Sequence, residues 1–248
     1  MELDTDVLVV IPAYNEADSV GAVVTEVLEA APKVHVLVVD DASTDTTAIL
    51  ARNAGAQVVT NVFNLGVGGA MRVGFRYAAA KGYRAMIQVD GDGQHDAHDV
   101  GRLLEPLDDR PEPMVSIGAR FAGQGDYDAP RARRWAMHLL AWYLSRVTHV
   151  HLTDVTSGFR AHNRAAIELF ARTYPADYLA DTVESLVIAS EAGGTVVQVP
   201  VSMRSRTGGA PSQSPLRAAV YLVRVALMLT VAVFRRRSVR PPTTEAPS

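Results

Sequence analysis

Short runs of β-branched and aliphatic residues recur along the first half of the chain, separated by longer stretches of mixed polarity. "VLVVI" (7–11), "VHVLVVD" (34–40), "AQVVT" (56–60) and "AMIQVD" (85–90) are short β-branched runs that each read as a strand. Between them, residues 17–31, 45–54 and 67–81 carry helical patterning, with Ser43 or Thr44 placed to cap the second stretch. This alternation predicts βαβ units and a mostly parallel sheet flanked by helices, an α/β fold. "MVSIGAR" (114–120) and "TVVQVPV" (195–201) supply two more strands. "RRWAMHLLAWYLSRV" (133–147) predicts an amphipathic helix, with Trp135 and Trp142 on one face and directed at the core.

The carboxyl-terminal part breaks this rhythm. Residues 218–234 are apolar apart from Arg224, and Arg235, Arg236, Arg237 and Arg240 follow at once. A spanning helix needs about 20 apolar residues, so this segment is short and carries a charge. Arg217, Tyr221 and Arg224 form one polar stripe at helical spacing, which predicts a helix lying in the membrane interface with its basic end on anionic headgroups. The plainer alternative is a terminal helix packed on its own domain. The predicted organisation is a globular domain over 1–213, a membrane-associated amphipathic helix over 214–237 and a disordered tail over 238–248.

Composition narrows the chemistry. With 248 residues, 48% of them hydrophobic, the chain can bury one sizeable core. A net charge of −3 gives no reason to expect nucleic-acid binding. The absence of cysteine excludes disulfides, thiolate zinc sites and cysteine nucleophiles. The amino terminus lacks a basic segment ahead of its short apolar run, so the domain is expected to work on the cytoplasmic side.

In an open parallel sheet, ligands bind beyond the carboxyl ends of the strands. Polar clusters occupy those ends here: "PAYNE" after the first strand, Asp40 and Asp41 after the second, Asp90 and Asp92 after the fourth, and Arg120 after the fifth. "MIQVDGDGQH" (86–95) is the most pointed of them, delivering Asp90, Asp92 and Gln94 at every second position with Gly91 and Gly93 between. A calcium loop is ruled out, because His95 stands where a glycine is needed and Gly101 where a glutamate is needed. A transition-metal site on His95 and His98 lacks a third, suitably spaced ligand. Two solvated turn aspartates would explain most such motifs. The end of a buried strand favours hard oxygen ligands that share Mg²⁺ or Mn²⁺ with substrate phosphates.

"NLGVGGAMRVG" (64–74) superficially suggests a dinucleotide loop, but Met71 replaces its last glycine and the segment precedes the third helix. Close packing, or a helix terminus facing an anion, accounts for it better.

Taken together and in order, "VVIPAYNE", "VLVVDDASTDTT", "NLGVGGAMRVGF", "IQVDGDGQHD", "GARF", "DVTSGFRAHNR" and "VPVSMRSRTGGAPS" resemble family 2 glycosyltransferases of the GT-A fold. They look most like the polyprenyl- or dolichyl-phosphate sugar synthases, over about residues 6–215. The resemblance implies a nucleotide-diphosphate sugar donor, a polyprenyl phosphate acceptor at a membrane surface, and inversion at the anomeric carbon. It leaves room for a small membrane-protein partner.

Carried over by position, Pro12, Tyr14 and Glu16 would line the nucleotide, with Val39 and Asp41 completing the pocket and Asp41 accepting from the base. Asp90 would contact ribose or metal beside Gly91, and Asp92 and Gln94 would coordinate Mg²⁺ or Mn²⁺. Arg120, Arg204 and Arg206 would hold the acceptor phosphate or the leaving diphosphate, while Asp154, Ser157 and Arg160 would shape the acceptor side. Asp154, Asp181 and Glu184 are the candidate bases should the acceptor be a hydroxyl, although Asp181 and Glu184 read more simply as a solvated or capping helix face. One departure bears on the donor. The mannosyl synthases usually carry a lysine after the carboxyl-terminal arginine loop, and "RTGGAPSQS" has none, which favours a UDP-hexose or UDP-N-acetylhexosamine over GDP-mannose. The alternatives are transfer to a hydroxyl acceptor and a non-catalytic regulator that binds nucleotide sugar or lipid.

Overall fold

The computed structural model describes residues 6–109, 114–119, 131–175 and 180–204, without the side chains of 131–139 and 180. Arg120, Arg206 and the predicted membrane helix and tail lie outside the described residues. Those described fall within one compact unit, Met1–Gly209.

The sheet is built from β1 (Val7–Ala13), β2 (His35–Asp40), β3 (Gln57–Thr60), β4 (Ala85–Gln88), β5 (Val115–Ala119), β6 (Arg160–His162) and β7 (Val196–Pro200). Their order across the sheet is β3-β2-β1-β4-β6-β5-β7. Strands β1, β2, β3 and β4 run parallel, as do β5 and β7, and β6 runs antiparallel to both β4 and β5. The predicted mostly parallel α/β fold is therefore the observed one, with a single reversed strand at its centre. β1 is buried along its full length because helices cover both of its faces, which is why it reads as an unbroken apolar run.

Helix α1 (Val20–Ala30) covers one face with Val20, Val23, Val24 and Val27, an i, i+3, i+4, i+7 stripe. Helix α2 (Thr47–Asn53) links β2 to β3. Helix α3 (Gly66–Lys81) turns Met71, Phe75 and Ala78 inward, and a Cβ at Gly74 would lie 2.6 Å from Val10 Cγ1. A short helix α4 (Val100–Leu104), α5 (Arg131–Thr148), α6 (Arg164–Thr173) and α7 (Ala180–Glu191) complete the structure described. Beside α3, Phe75 meets His162, Phe170 and Tyr174 with ring centroids 4.9, 5.2 and 4.7 Å away.

Three expectations are corrected here. β4 ends at Gln88, two residues short of Asp90, although the Val89 N–H still donates to Val10 O at 3.0 Å. Trp142 is not a core residue: it is 56% exposed, with the Arg146 guanidinium 5.0 Å from its ring centroid. Asp181 is buried rather than solvated.

Candidate active site at the carboxyl edge of the sheet

The loops after β1 and β2 are bound to each other by side chains. Asn15 and Ala42 have φ of 53° and 61°, in the left-handed region that non-glycine residues seldom adopt. The Asn15 N–H donates to Ser43 Oγ at 2.9 Å and the Thr44 N–H donates to Asn15 Oδ1 at 2.8 Å. Ser43 and Thr44 are thus spent on Asn15 and do not cap α2. The N-cap is Thr46, and Asp45 before it accepts the Thr47 N–H at 2.9 Å and the Ala17 N–H at 3.2 Å. Burial works to raise the Asp45 pKa, but the hydrogen bonds from Thr47 and Ala17 outweigh it and hold it below the usual carboxylate value. Pro12 and Val39 are register partners and both are buried, while Tyr14 stands 47% exposed at the rim. Glu16 is half-buried, its N–H donating to Thr47 Oγ1 at 2.8 Å.

Asp41 is buried beneath this rim and accepts from three of the chain's own groups. Asn61 Nδ2 donates to it at 2.8 Å, the Leu65 N–H at 2.9 Å and the Gly66 N–H at 2.7 Å. Sequence reasoning gave Asp41 to a nucleotide base. In the structure its carboxylate ties β2 to the start of α3, and a negative charge there also suits the helix terminus.

The "DGDGQH" turn is held from several sides. The Asp90 N–H donates to His95 Nδ1 at 3.1 Å, so the neutral imidazole carries its proton on Nε2, which lies 3.7 Å from Asp90 Oδ2. Gln88 Nε2 donates to Asp90 Oδ1 at 3.3 Å. Ser19 Oγ donates to the Gly91 carbonyl at 2.7 Å and lies 3.1 Å from Glu16 Oε2. Gly93 has a φ of 74°, and the Gln94 N–H donates to Asp92 Oδ1 at 3.1 Å. Opposite Asp90, a Cβ on Gly158 would lie 2.9 Å from Oδ2 and 3.0 Å from Oδ1. Gly158 thus packs directly against the carboxylate, where no side chain would fit. Asp90, Asp92 and Gln94 are all half-buried on this one turn, and their hard oxygens are of the kind that hold Mg²⁺ or Mn²⁺ while leaving positions for a phosphate.

Arg204 does not point freely into this space. Its Nη1 donates to both carboxylate oxygens of Glu26 at 2.9 Å, and its Nη2 is 3.0 Å from Asp96 Oδ1. Glu26, Asp96 and His98 bring possible metal-ligand atoms within 4.8 Å of one another. The Arg204 guanidinium already neutralises two of them, so an ion-pair cluster describes this group better than a metal site. Burial opposes ionisation of Asp96, but His98 and Arg204 prevail and lower its pKa. The Arg204 N–H also donates to the Gln94 carbonyl at 2.9 Å, joining the chain after β7 to the acidic turn.

The "DVTSGFR" motif leads into β6. Arg160 is 2% exposed, and its guanidinium donates to the carbonyls of Ser157, Val155 and Thr182 at 2.8, 2.8 and 2.7 Å. Asp154 accepts the Thr156 N–H at 3.2 Å, and its carbonyl accepts from Gln198 Nε2 at 2.8 Å. Ser157 is buried and accepts the Phe159 N–H at 3.3 Å. These residues set the shape of a loop; Arg160 and Ser157 are not displayed on its surface. Burial, with Asp90 nearby, raises the Asp181 pKa against the opposing pull of Thr182 and Arg160. Ser19, Glu26 and Gly158 were not singled out as site residues from sequence, and His95 was weighed only as a transition-metal ligand and set aside. Only the glycine in "TSGF" and the serine ending "NEADS" offered a signal, and it was weak.

Residues 8–170 match the family model described as glycosyl transferase family 2. The chain belongs to that family. Polyprenol monophosphomannose synthase of Mycolicibacterium smegmatis is 30% identical over 226 residues, covering 87% of this chain and 84% of that protein. Undecaprenyl-phosphate mannosyltransferase of Micrococcus luteus is 31% identical, covering 84% and 87%. Among solved structures, glucosyl-3-phosphoglycerate synthase from Mycobacterium tuberculosis, in complex with Mn²⁺, UDP and glucosyl-3-phosphoglycerate, superposes with a TM-score of 0.70. At 21% identity, covering 92% of this chain and 79% of that one, it speaks for the fold. No helix among the described residues is long and apolar enough to cross a membrane.

Proposed function

We propose that this family 2 glycosyltransferase moves a sugar from a nucleotide-diphosphate donor to a polyprenyl phosphate. The observation that carries the reading is the acidic turn: half-buried Asp90, Asp92 and Gln94 at the carboxyl edge, with Asp90 braced by His95 and packed against Gly158. The two mannosyl-transferring relatives support mannose as the sugar, against the expectation of a UDP-hexose drawn from the missing lysine. A second donor class keeps some support. The UDP-N-acetylglucosamine–dolichyl-phosphate N-acetylglucosaminyltransferase of Methanococcus voltae is 24% identical over 80% of this chain.

Asp92 and Gln94 would hold Mg²⁺ or Mn²⁺ together with Asp90. When bound, such an ion supplies positive charge against the developing negative charge of the leaving diphosphate. Pro12, Tyr14, Glu16 and Val39 would seat the nucleoside between the loops that Asn15 and Ser43 join. A lipid phosphate is already anionic at neutral pH, so attack needs no general base and the chain's task is alignment. The Arg160-braced loop over 154–159 would form the wall against which the acceptor is aligned. Arg120 and Arg206 are proposed as phosphate contacts. Arg204, paired with Glu26 and Asp96, would hold the chain leading to Arg206.

Thermal shift with GDP and UDP, each with and without Mn²⁺, tests the donor site. Metal-dependent stabilisation by one nucleotide selects the sugar nucleotides for transfer assays on polyprenyl phosphate. Stabilisation by neither, or transfer only to hydroxyl acceptors, would overturn the proposal.

A further inference from the structure

The segment 61–65, "NVFNL", joins β3 to α3 and stands at the same edge of the sheet as the acidic turn, because β1 to β4 are parallel. Its ends are gripped from within. Asp41 accepts Asn61 Nδ2 at one end and the Leu65 and Gly66 N–H groups at the other, while the Asn61 N–H donates to Asp40 O at 2.8 Å. The residues between are displayed outward: Val62 is 94% exposed, Phe63 66%, and Leu65 is exposed beside them. Such a cluster of large apolar side chains on a braced loop has no role in the core, and scattered surface exposure does not explain it.

Beneath the loop, a groove along α3 is lined by Leu65, Gly69, Arg72, Val73 and Arg76. Helix α3 contains no acidic residue. Among the described residues, Arg72 and Arg76 form no ion pair. Arg72 Nη2 reaches only the Arg172 carbonyl at 3.5 Å, and Arg76 Nε only the Ala171 carbonyl at 3.3 Å. Arg72 Nε is buried without a hydrogen-bond partner. At about 1.5 Å per residue, Arg72 lies about 10 Å along the helix from Leu65, which is about one screening length at physiological salt.

From these two features we infer that the loop over 61–65 and the arginines of α3 form a docking surface for an anionic lipid bilayer. The Val62 and Phe63 side chains would enter the headgroup–acyl boundary, with Arg72 and Arg76 at the level of lipid phosphates. An apolar tip backed by unneutralised cations is the chemistry that such a surface attracts. This contact is separate from the predicted carboxyl-terminal helix. It would turn the acidic turn toward the membrane, and in that purpose alone it rests on the proposed lipid acceptor.

The chain has no cysteine, so one introduced thiol reports one place. Full-length Val62→Cys carrying an environment-sensitive fluorophore is mixed with phosphatidylcholine vesicles, with and without phosphatidylglycerol. Lys33→Cys, exposed in the turn before β2 at the opposite edge, is the control. The expected result is a blue shift at position 62 on anionic vesicles, little on neutral ones and none at position 33. Arg72→Gln with Arg76→Gln should weaken the partitioning that this shift reports by roughly tenfold or more. Exposed Arg76→Gln alone, which gives up only one bond to the Ala171 carbonyl, should weaken it by about fivefold. A label at 62 that stays in water on anionic vesicles would overturn the inference, whether or not the chain binds them elsewhere. The groove would then fall to an acidic protein segment. Equal shifts on neutral vesicles would overturn the role of the arginines. Vesicles without polyprenyl phosphate and without donor keep this result independent of whether sugar transfer is found.

Discussion

His95 lies flat on Phe159, with ring centroids 4.7 Å apart and planes 11° apart, while its Nδ1 accepts the N–H of Asp90. A residue of the acidic turn is thereby clamped to the loop that enters β6, and the first aspartate of the turn is fixed through its backbone. His95→Phe keeps the stack and removes the acceptor. It should cost about 1–3 kcal/mol in folding stability, since a buried N–H loses its partner. Metal-dependent nucleotide binding should weaken alongside. Chemical denaturation and nucleotide thermal shift, run on the same variant, check both.

Gly158→Ala tests the close approach of Gly158 to Asp90 directly. The added methyl would stand 2.9 Å from Oδ2 and 3.0 Å from Gln88 Nε2, so the carboxylate must turn away. Turnover should fall on the order of a hundredfold from misplacement alone. The melting temperature should move little, because Asp90 is part-exposed and can shift. Wild-type turnover in this variant would show that Asp90 need not occupy its present position.

Asp92→Ala should abolish turnover and the Mn²⁺ dependence of nucleotide binding. The hydrogen bond accepted from the Gln94 N–H accounts for about 1 kcal/mol of folding stability, so the variant should still fold. Full activity with Asp92 removed would dismiss the metal assignment.

Arg160→Leu separates a loop brace from a substrate contact. Three carbonyls, those of Ser157, Val155 and Thr182, would lose their charged donor inside the protein. A stability loss of roughly 3 kcal/mol or more is expected. An unchanged melting temperature with a selective rise in acceptor KM would instead give Arg160 to the substrate.

His162 makes stability depend on pH. Burial first, then the nearby Arg160 charge, pushes its pKa down from 6.5 to about 3, against the opposing bond to the Met86 carbonyl. Between those values the unfolded chain binds a proton that the folded chain refuses, so stability falls as pH drops from about 6.5 toward 3. The slope from this group approaches 1.4 kcal/mol per pH unit. His162→Gln should flatten the loss between pH 6.5 and 5, where few carboxylates titrate, and urea midpoints across that range measure it.

β1, β2 and β4 were legible because they are buried on both faces and announce themselves as apolar runs, whereas β3, an edge strand with no buried residue, showed only through its β-branched residues. β6 was not, for "RAH" has three residues, two of them polar, and no periodicity can arise in so short a span. α6 carried a signal that was passed over: Asn163 caps it, accepting the Ala166 N–H at 2.9 Å. At the site, the acidic turn stood out because carboxylates at the end of a buried strand are conspicuous. The partners of Asp41 and Arg160 were illegible. Carboxylate and guanidinium groups bind protein and substrate by the same bonds, and only coordinates reveal which bonds are already made. The roles of His95 and Gly158 were illegible because one acts through its ring face and the other through an absent side chain.

The reversed direction of β6 has a consequence for how such a molecule can diverge. Gln88 at the end of β4 pairs with Arg160 at the start of β6, so this strand contributes its incoming loop to the catalytic edge where the neighbouring strand contributes its outgoing one. The two loops meet at Asp90 and Gly158, yet they belong to segments some seventy residues apart in sequence. Insertions or exchanges between 149 and 157 can therefore alter what approaches from one side while the turn at 90–94 and its strand stay untouched. One half of the pocket is free to vary as the other is inherited unchanged.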